Sequence, residues 1–214
     1  MIPARVPGEC RRRHRCAPAD PLRGYSLIEL LIVLAIAGIL LLFTVPLVAS
    51  TVARERLHAA SLEMALEFRG LRQRAVTERR TYGLRFVAAG SSWSRSLYLD
   101  GNGNGIRSVD ILSGKDPLVE GPEDPSTRFE GIRVGLPTSP VPQIPPSTGS
   151  IPAPGDPVKF GNTNLVSFSP SGSVSGGTLY MTDGSRVAAV VAYGPTGRIR
   201  LQRFDPGEGW RSGF

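Results

Sequence analysis

Three groups of residues in this 214-residue chain have the types and spacing to do chemistry. The first is Glu29, a carboxylate within residues 27–48, LIELLIVLAIAGILLLFTVPLV, which are apolar apart from it and Thr44. An ionisable side chain in a membrane-length helix costs about 2.5–3.5 kcal/mol at the bilayer centre and less near the interface. Glu29 therefore calls for a neutralising cation, or for snorkelling toward the headgroups. The second group is Asp100, Asn102 and Asn104, alternate oxygen-bearing side chains followed by Gly105, with Asp110 beyond. This spacing imitates the start of a calcium loop, although the closing acid is eleventh rather than twelfth. The Asn-Gly pairs are equally a tight-turn signal, so an empty turn and a calcium site both fit. The third group is Arg198 and Arg200 after the turn residue Gly197, with Arg203 nearby. Arginines two apart on a strand project from one face, where they are either solvated or a pair of phosphate contacts.

Enzyme chemistry finds no support beside these groups. Cys10 and Cys16 both precede the apolar run, with only His14 as a neighbouring ligand type, which is too few for zinc. The chain beyond them is cysteine-free and has no disulfide framework. The second histidine, His58, has only Glu55 or Glu63 at helical spacing, and no serine sits in a nucleophile-elbow context. The reading is of a non-enzyme.

The elements that would position these groups follow from charge and periodicity. The net charge of +7 is concentrated at the start. Residues 1–24 hold six Arg against Glu9 and Asp20, leaving 19 basic and 16 acidic residues for the rest. A nucleic-acid role for the whole chain is therefore not implied by its global charge. Twenty-two residues at 1.5 Å rise give about 33 Å, enough to cross a hydrocarbon core of about 30 Å. The basic head before the run predicts an N-in, C-out single pass. A signal anchor fits this pattern, whereas a cleaved secretory signal would have a shorter apolar region. Pro46 removes a helical hydrogen bond, so a kink or loosened turn is expected there.

Beyond Pro46, Ala53, Leu57, Ala60, Met64, Phe68, Leu71 and Ala75 recur at steps of three and four. They form one face of an amphipathic helix, with Arg54, Glu55, His58, Glu63, Arg69, Arg72 and Arg74 on the other faces. The helix is expected from Tyr25 to near Arg79. After Gly83 the period becomes strand-like, with candidates in 82–87, 97–99, 128–134, 158–160, 166–168, 178–182, 187–191 and 199–204. One long helix followed by short strands with Gly/Pro turns makes an α+β module, the helical stripe packing on antiparallel sheet. Residues 137–157 hold eight prolines and read as an exposed polyproline-type loop.

Arg23-Gly24-Tyr25-Ser26-Leu27-Ile28-Glu29 closely resembles the type IV prepilin family. The resemblance implies a cytoplasmic leader of residues 1–24, cut after Gly24 by an inner-membrane prepilin peptidase that also methylates the new amine of Tyr25. It implies that Glu29 pairs with the N-terminal amine of an adjacent subunit, and that Pro46 sits where pilin helices loosen. Tyr25 and Ser26 depart from the commonest Phe and Thr. Farther on, Phe168-Ser169-Pro170-Ser171-Gly172, Gly177-Thr178-Leu179-Tyr180 and Gly197-Arg198-Ile199-Arg200 resemble the GspH/FimT family of minor pseudopilins. Its implied organisation is a leader (1–24), a transmembrane helix (25–48), a helix continuing into the globular part (49–80) and a periplasmic β-rich domain (81–214). The implied role is a structural subunit that starts or tips a type II secretion pseudopilus, anchored in the inner membrane beside other pseudopilins. In some DNA-uptake members the Gly-Arg-x-Arg motif contacts DNA, which keeps a DNA-binding minor pilin open as the alternative.

Overall fold

The computed structural model describes residues 24–90, 92–152 and 155–213. The leader before Gly24 lies outside them. Helix α1 runs over Leu27–Glu78, ending one residue short of Arg79, which takes the left-handed conformation at φ 53. Pro46 falls within α1, and its side chain lies outside the described residues. The chain divides into two compact units, Met1–Val45 and Pro46–Phe214. In the first, Leu27–Thr44 is apolar and long enough for a membrane span, and none of it is buried by protein. Leu42 and Phe43 are each at least 70% exposed, an arrangement that water would penalise and lipid would not.

In the second unit the elements follow as β1 (Tyr82–Ala89), β2 (Ser92–Leu99), α2 (Ser108–Leu112), β3 (Leu118–Glu123) and a 3-10 turn (Pro125–Thr127). Then come β4 (Arg133–Val134), β5 (Val141–Pro142), β6 (Ser150–Ile151), β7 (Val158–Phe160) and β8 (Leu165–Phe168). The chain closes with β9 (Gly177–Thr182), β10 (Val187–Tyr193), β11 (Arg198–Asp205) and β12 (Gly209–Gly213). All pairings are antiparallel. One sheet has the order β3-β2-β1-β8 and the other β12-β11-β10-β9-β4, with β7 pairing the remaining length of β9. The fold is α+β with a long N-terminal helix.

The core forms where the helical stripe meets both sheets. Leu57, Ala60, Met64, Phe68, Leu71 and Ala75 are buried with Leu84 and Phe86 of β1, Val166 and Phe168 of β8, and Val190, Ile199 and Leu201 of the second sheet. Phe68 packs edge-on against Phe168 at 5.6 Å between ring centroids. An ionic seam closes one flank. Arg95 on β2 pairs with Glu67 of α1 and lies 2.6 Å from Glu123, and Arg128 pairs with Glu63 and with Glu123 at 2.7 Å.

The second sheet is apolar on its other face as well, and this changes the reading of the proline-rich segment. Val141 and Ile144 are buried against Tyr180, Val187, Ala189 and Val191, with Ile151, Phe204 and Trp210 at the margin. The described part of residues 137–157 is therefore not a wholly exposed polyproline loop: Pro137, Val141, Ile144 and Pro157 are buried, while most of the other described residues are exposed. This part carries the β5-β6 hairpin over the sheet, and the Trp210 indole N–H donates to the Pro142 carbonyl at 2.7 Å. The physical reason is the sheet's second apolar face, which needs cover that no helix supplies. The strand expected over 128–134 shrinks to Arg133–Val134, since residues 128–131 form turns and a bend that continue from the 3-10 turn.

Candidate assembly motif and arginine surfaces

Glu29 lies in the first turn of α1, where a carboxylate complements the helix dipole, and it is exposed. Gly24 and Tyr25 precede the helix, exposed, and Leu30 N–H donates to Ser26 O at 3.1 Å, so helical bonding starts at Ser26. The Gly24 to Glu29 stretch thus places Tyr25 and a carboxylate at the same end of an apolar rod.

Two of the three stretches singled out in the C-terminal half, 168–172 and 197–200, meet. Gly172 closes the turn after Pro170 at φ +80, and its carbonyl accepts Arg72 Nε at 2.7 Å. Gly197 sits against that same carbonyl at φ +59, where a Cβ would stand 2.0 Å from Gly172 O and 2.4 Å from Arg72 Nε. Arg69 Nη2 donates to Ile199 O at 3.3 Å. Two arginines placed off the apolar stripe therefore fasten α1 to the Gly172 turn and to strand β11. Nothing in the local spacing of α1 could have shown this, because the partners lie 100 and 130 residues away.

Strand alternation divides the arginine trio. Arg198 and Arg200 point to the face away from α1, Arg198 exposed and Arg200 half-buried with its guanidinium 5.7 Å from the Tyr193 ring centroid. Gln202 follows on that face, buried, with Oε1 lacking a partner. Arg203 has the parity of Ile199 and Leu201, and so faces α1. The expected three-residue patch is a pair, and Arg203 belongs elsewhere.

At the proposed calcium loop the carboxylates are engaged by the loop itself. Asp100 accepts the N–H groups of Asn102, Gly103 and Gly105 at 2.7–3.2 Å. Asn104 Nδ2 donates to Asp110 at 3.1 Å, and this bond holds the Asp110 carboxyl below its ordinary range. Asp116, which spacing did not reveal, is 1% exposed and accepts from the N–H groups of Gly101 and Arg107. Among the described residues, no group of three or more His, Cys, Asp or Glu is arranged to hold a metal ion.

Residues 23–45 match the prokaryotic N-terminal methylation motif. The chain is type IV pilin-like. No curated protein and no solved structure matches it. The matched stretch contains Gly24, Tyr25 and Glu29 together with most of the apolar stretch, which fits a membrane-anchored pilin-like chain. Processing by prepilin peptidase and assembly with other pilin subunits follow for such a motif, and they point to a structural subunit rather than an enzyme.

Proposed function

We propose that this protein is a minor pseudopilin of the GspH/FimT kind, a structural subunit that helps start or tip the pseudopilus of a type II secretion system. The supporting observation is the meeting of the Phe168-x-Pro170-x-Gly172 turn with the Gly197-Arg198-x-Arg200 turn on Arg72 of the helix that carries the methylation motif. In this reading the basic head stays in the cytoplasm, as the positive-inside rule favours, and the β-rich unit lies in the periplasm. The carboxylate of Glu29 neutralises the methylated amine of a neighbouring subunit, since neither charge is affordable alone in lipid. The intact mass of membrane-extracted protein tests the processing: it should correspond to a chain beginning at N-methylated Tyr25. A start at Met1 or beyond Ser50 would refute it.

A second reading, a minor pilin that binds DNA for uptake, is favoured by the exposure of Arg198 and by Arg200 beside an aromatic ring on the face away from α1. Phosphate contacts by this pair would make duplex binding at low salt fall in Arg198→Ala/Arg200→Ala, with the salt slope reduced by up to about two units. Absence of wild-type binding at low ionic strength removes this reading.

A further inference from the structure

Arg203 opens onto a cleft of about 370 Å³ between residues 54–61 of α1 and the edge of the second sheet. Arg54, Arg186, Arg203 and Arg211 line it, with Leu57 and Leu201 at its base and His58 and Glu55 at its wall. Arg203 and Arg211 stand directly opposite in the β11-β12 register, on the same face. Like charges directly opposite on antiparallel strands are destabilising, so their presence is not explained by the fold. Among the described residues, the carboxylates beside these four arginines are Glu55 at the wall, Glu208 paired with Arg211, and Asp183 3.7 Å from Arg186. Among the described residues Arg54 and Arg203 make no ion pair.

The geometry points to this cleft as a seat for the phosphate of an anionic phospholipid headgroup, in the leaflet that the folded unit faces. The argument for lipid over another anion is the tether. Arg54 is the first charged residue after Glu29, and it follows the end of the apolar stretch, Thr44, by ten residues. At helical rise that is about 15 Å of chain, and even fully extended it is no more than about 36 Å. A tether of this length lets the cleft reach the membrane surface, where anionic headgroups are the most concentrated phosphates and attract basic clusters. Guanidinium groups suit this ligand, since they present paired donors to phosphate oxygens.

The inference rests on the membrane-anchored reading, and one experiment separates the two. Full-length protein is placed in nanodiscs of phosphatidylcholine alone, or mixed equally with phosphatidylglycerol, and amide hydrogen exchange is followed. Incorporation into the phosphatidylcholine discs is checked first, and its failure would overturn the anchored reading and the inference with it. With incorporation achieved, amides of β12 should exchange about fivefold or more slowly in the anionic discs, the effect of at least one arginine at a charged surface. High salt should remove the difference. Arg203→Gln/Arg211→Gln should abolish it, as should Arg54→Gln, a helix-surface change that leaves the strands intact. Arg80→Gln/Lys159→Gln, equal in charge and outside the cleft, should retain it. Equal exchange in the two lipids overturns the inference. So does protection in phosphatidylcholine discs by added inorganic phosphate, which would mark a free-anion site, or protection only by an added DNA duplex.

Discussion

Gly197 and Gly161 share almost the same backbone conformation, φ +59 and +60, but only Gly197 has something next to it. A side chain in the left-handed region costs about 1–2 kcal/mol by itself. Gly161→Ala, with open space around its Cβ, should lose that and no more. Gly197→Ala must also move the Gly172 carbonyl and the Arg72 guanidinium, and should lower the denaturant midpoint further. Equal midpoints for the two variants would show that the convergence of turns is not tight. The sequence marks Gly197 and Gly172 as turn residues, and that much was legible from type alone. What makes each glycine necessary is a partner a hundred residues away, and Arg72 carries no local sign of it. The same holds for Arg203. Its spacing from Arg198 and Arg200 suggested a common patch, whereas strand parity sends it to the opposite face.

Among the elements, the β5-β6 hairpin is the one that composition concealed. Eight prolines signalled an exposed loop, yet the three residues Val141, Ile144 and Ile151 supply the apolar contacts that cover the sheet. Ile144→Ala should therefore cost on the order of 2–5 kcal/mol, a core penalty rather than a loop one. A thermal melt that matches wild type would place the hairpin away from the sheet. Tyr180 reports on the same contact, because burial beneath the hairpin pushes its phenol up to about 12, against a lowering hydrogen bond with Thr178. The folded state keeps this proton where the unfolded chain, near 10, gives it up. Its contribution is fully present below pH 10 and is lost as pH rises through about 10–12. Melting temperatures across that window should fall less steeply in Tyr180→Phe than in wild type, and parallel slopes would remove Tyr180 as the cause. The amphipathic stripe of α1, by contrast, was legible residue by residue, since a period near 3.6 survives any tertiary context. The strands β3 and β12 escaped notice because each contains glycine, and β3 also proline. They are strands through pairing with β2 and β11 rather than through propensity.

At the scale of the whole molecule, an exposed apolar helix with one acid in its first turn asks for both lipid and a partner. Glu29→Ala relieves the acid's bilayer penalty, so membrane insertion should be intact or improved. Crosslinking to other pilin-like subunits should drop, because the amine of the neighbour loses its counter-ion. Wild-type crosslinking in the variant would take Glu29 out of assembly. The helix, the methylation signature and the sheet-bearing class were all readable in advance, since each rests on a local period or a short motif. The ionic seam and the two-faced sheet were not, because they depend on which strands become neighbours. The bonds from Arg69 and Arg72 to the carbonyls of Ile199 and Gly172 have a mechanical consequence. In a filament subunit loaded through its helix, tension entering α1 would pass through two guanidinium links, one into β11 of the second sheet and one into the turn that follows β8 of the first. With the buried stripe they resist sliding of the helix at two places, so the load would be divided between the two sheets instead of peeling contacts away one after another.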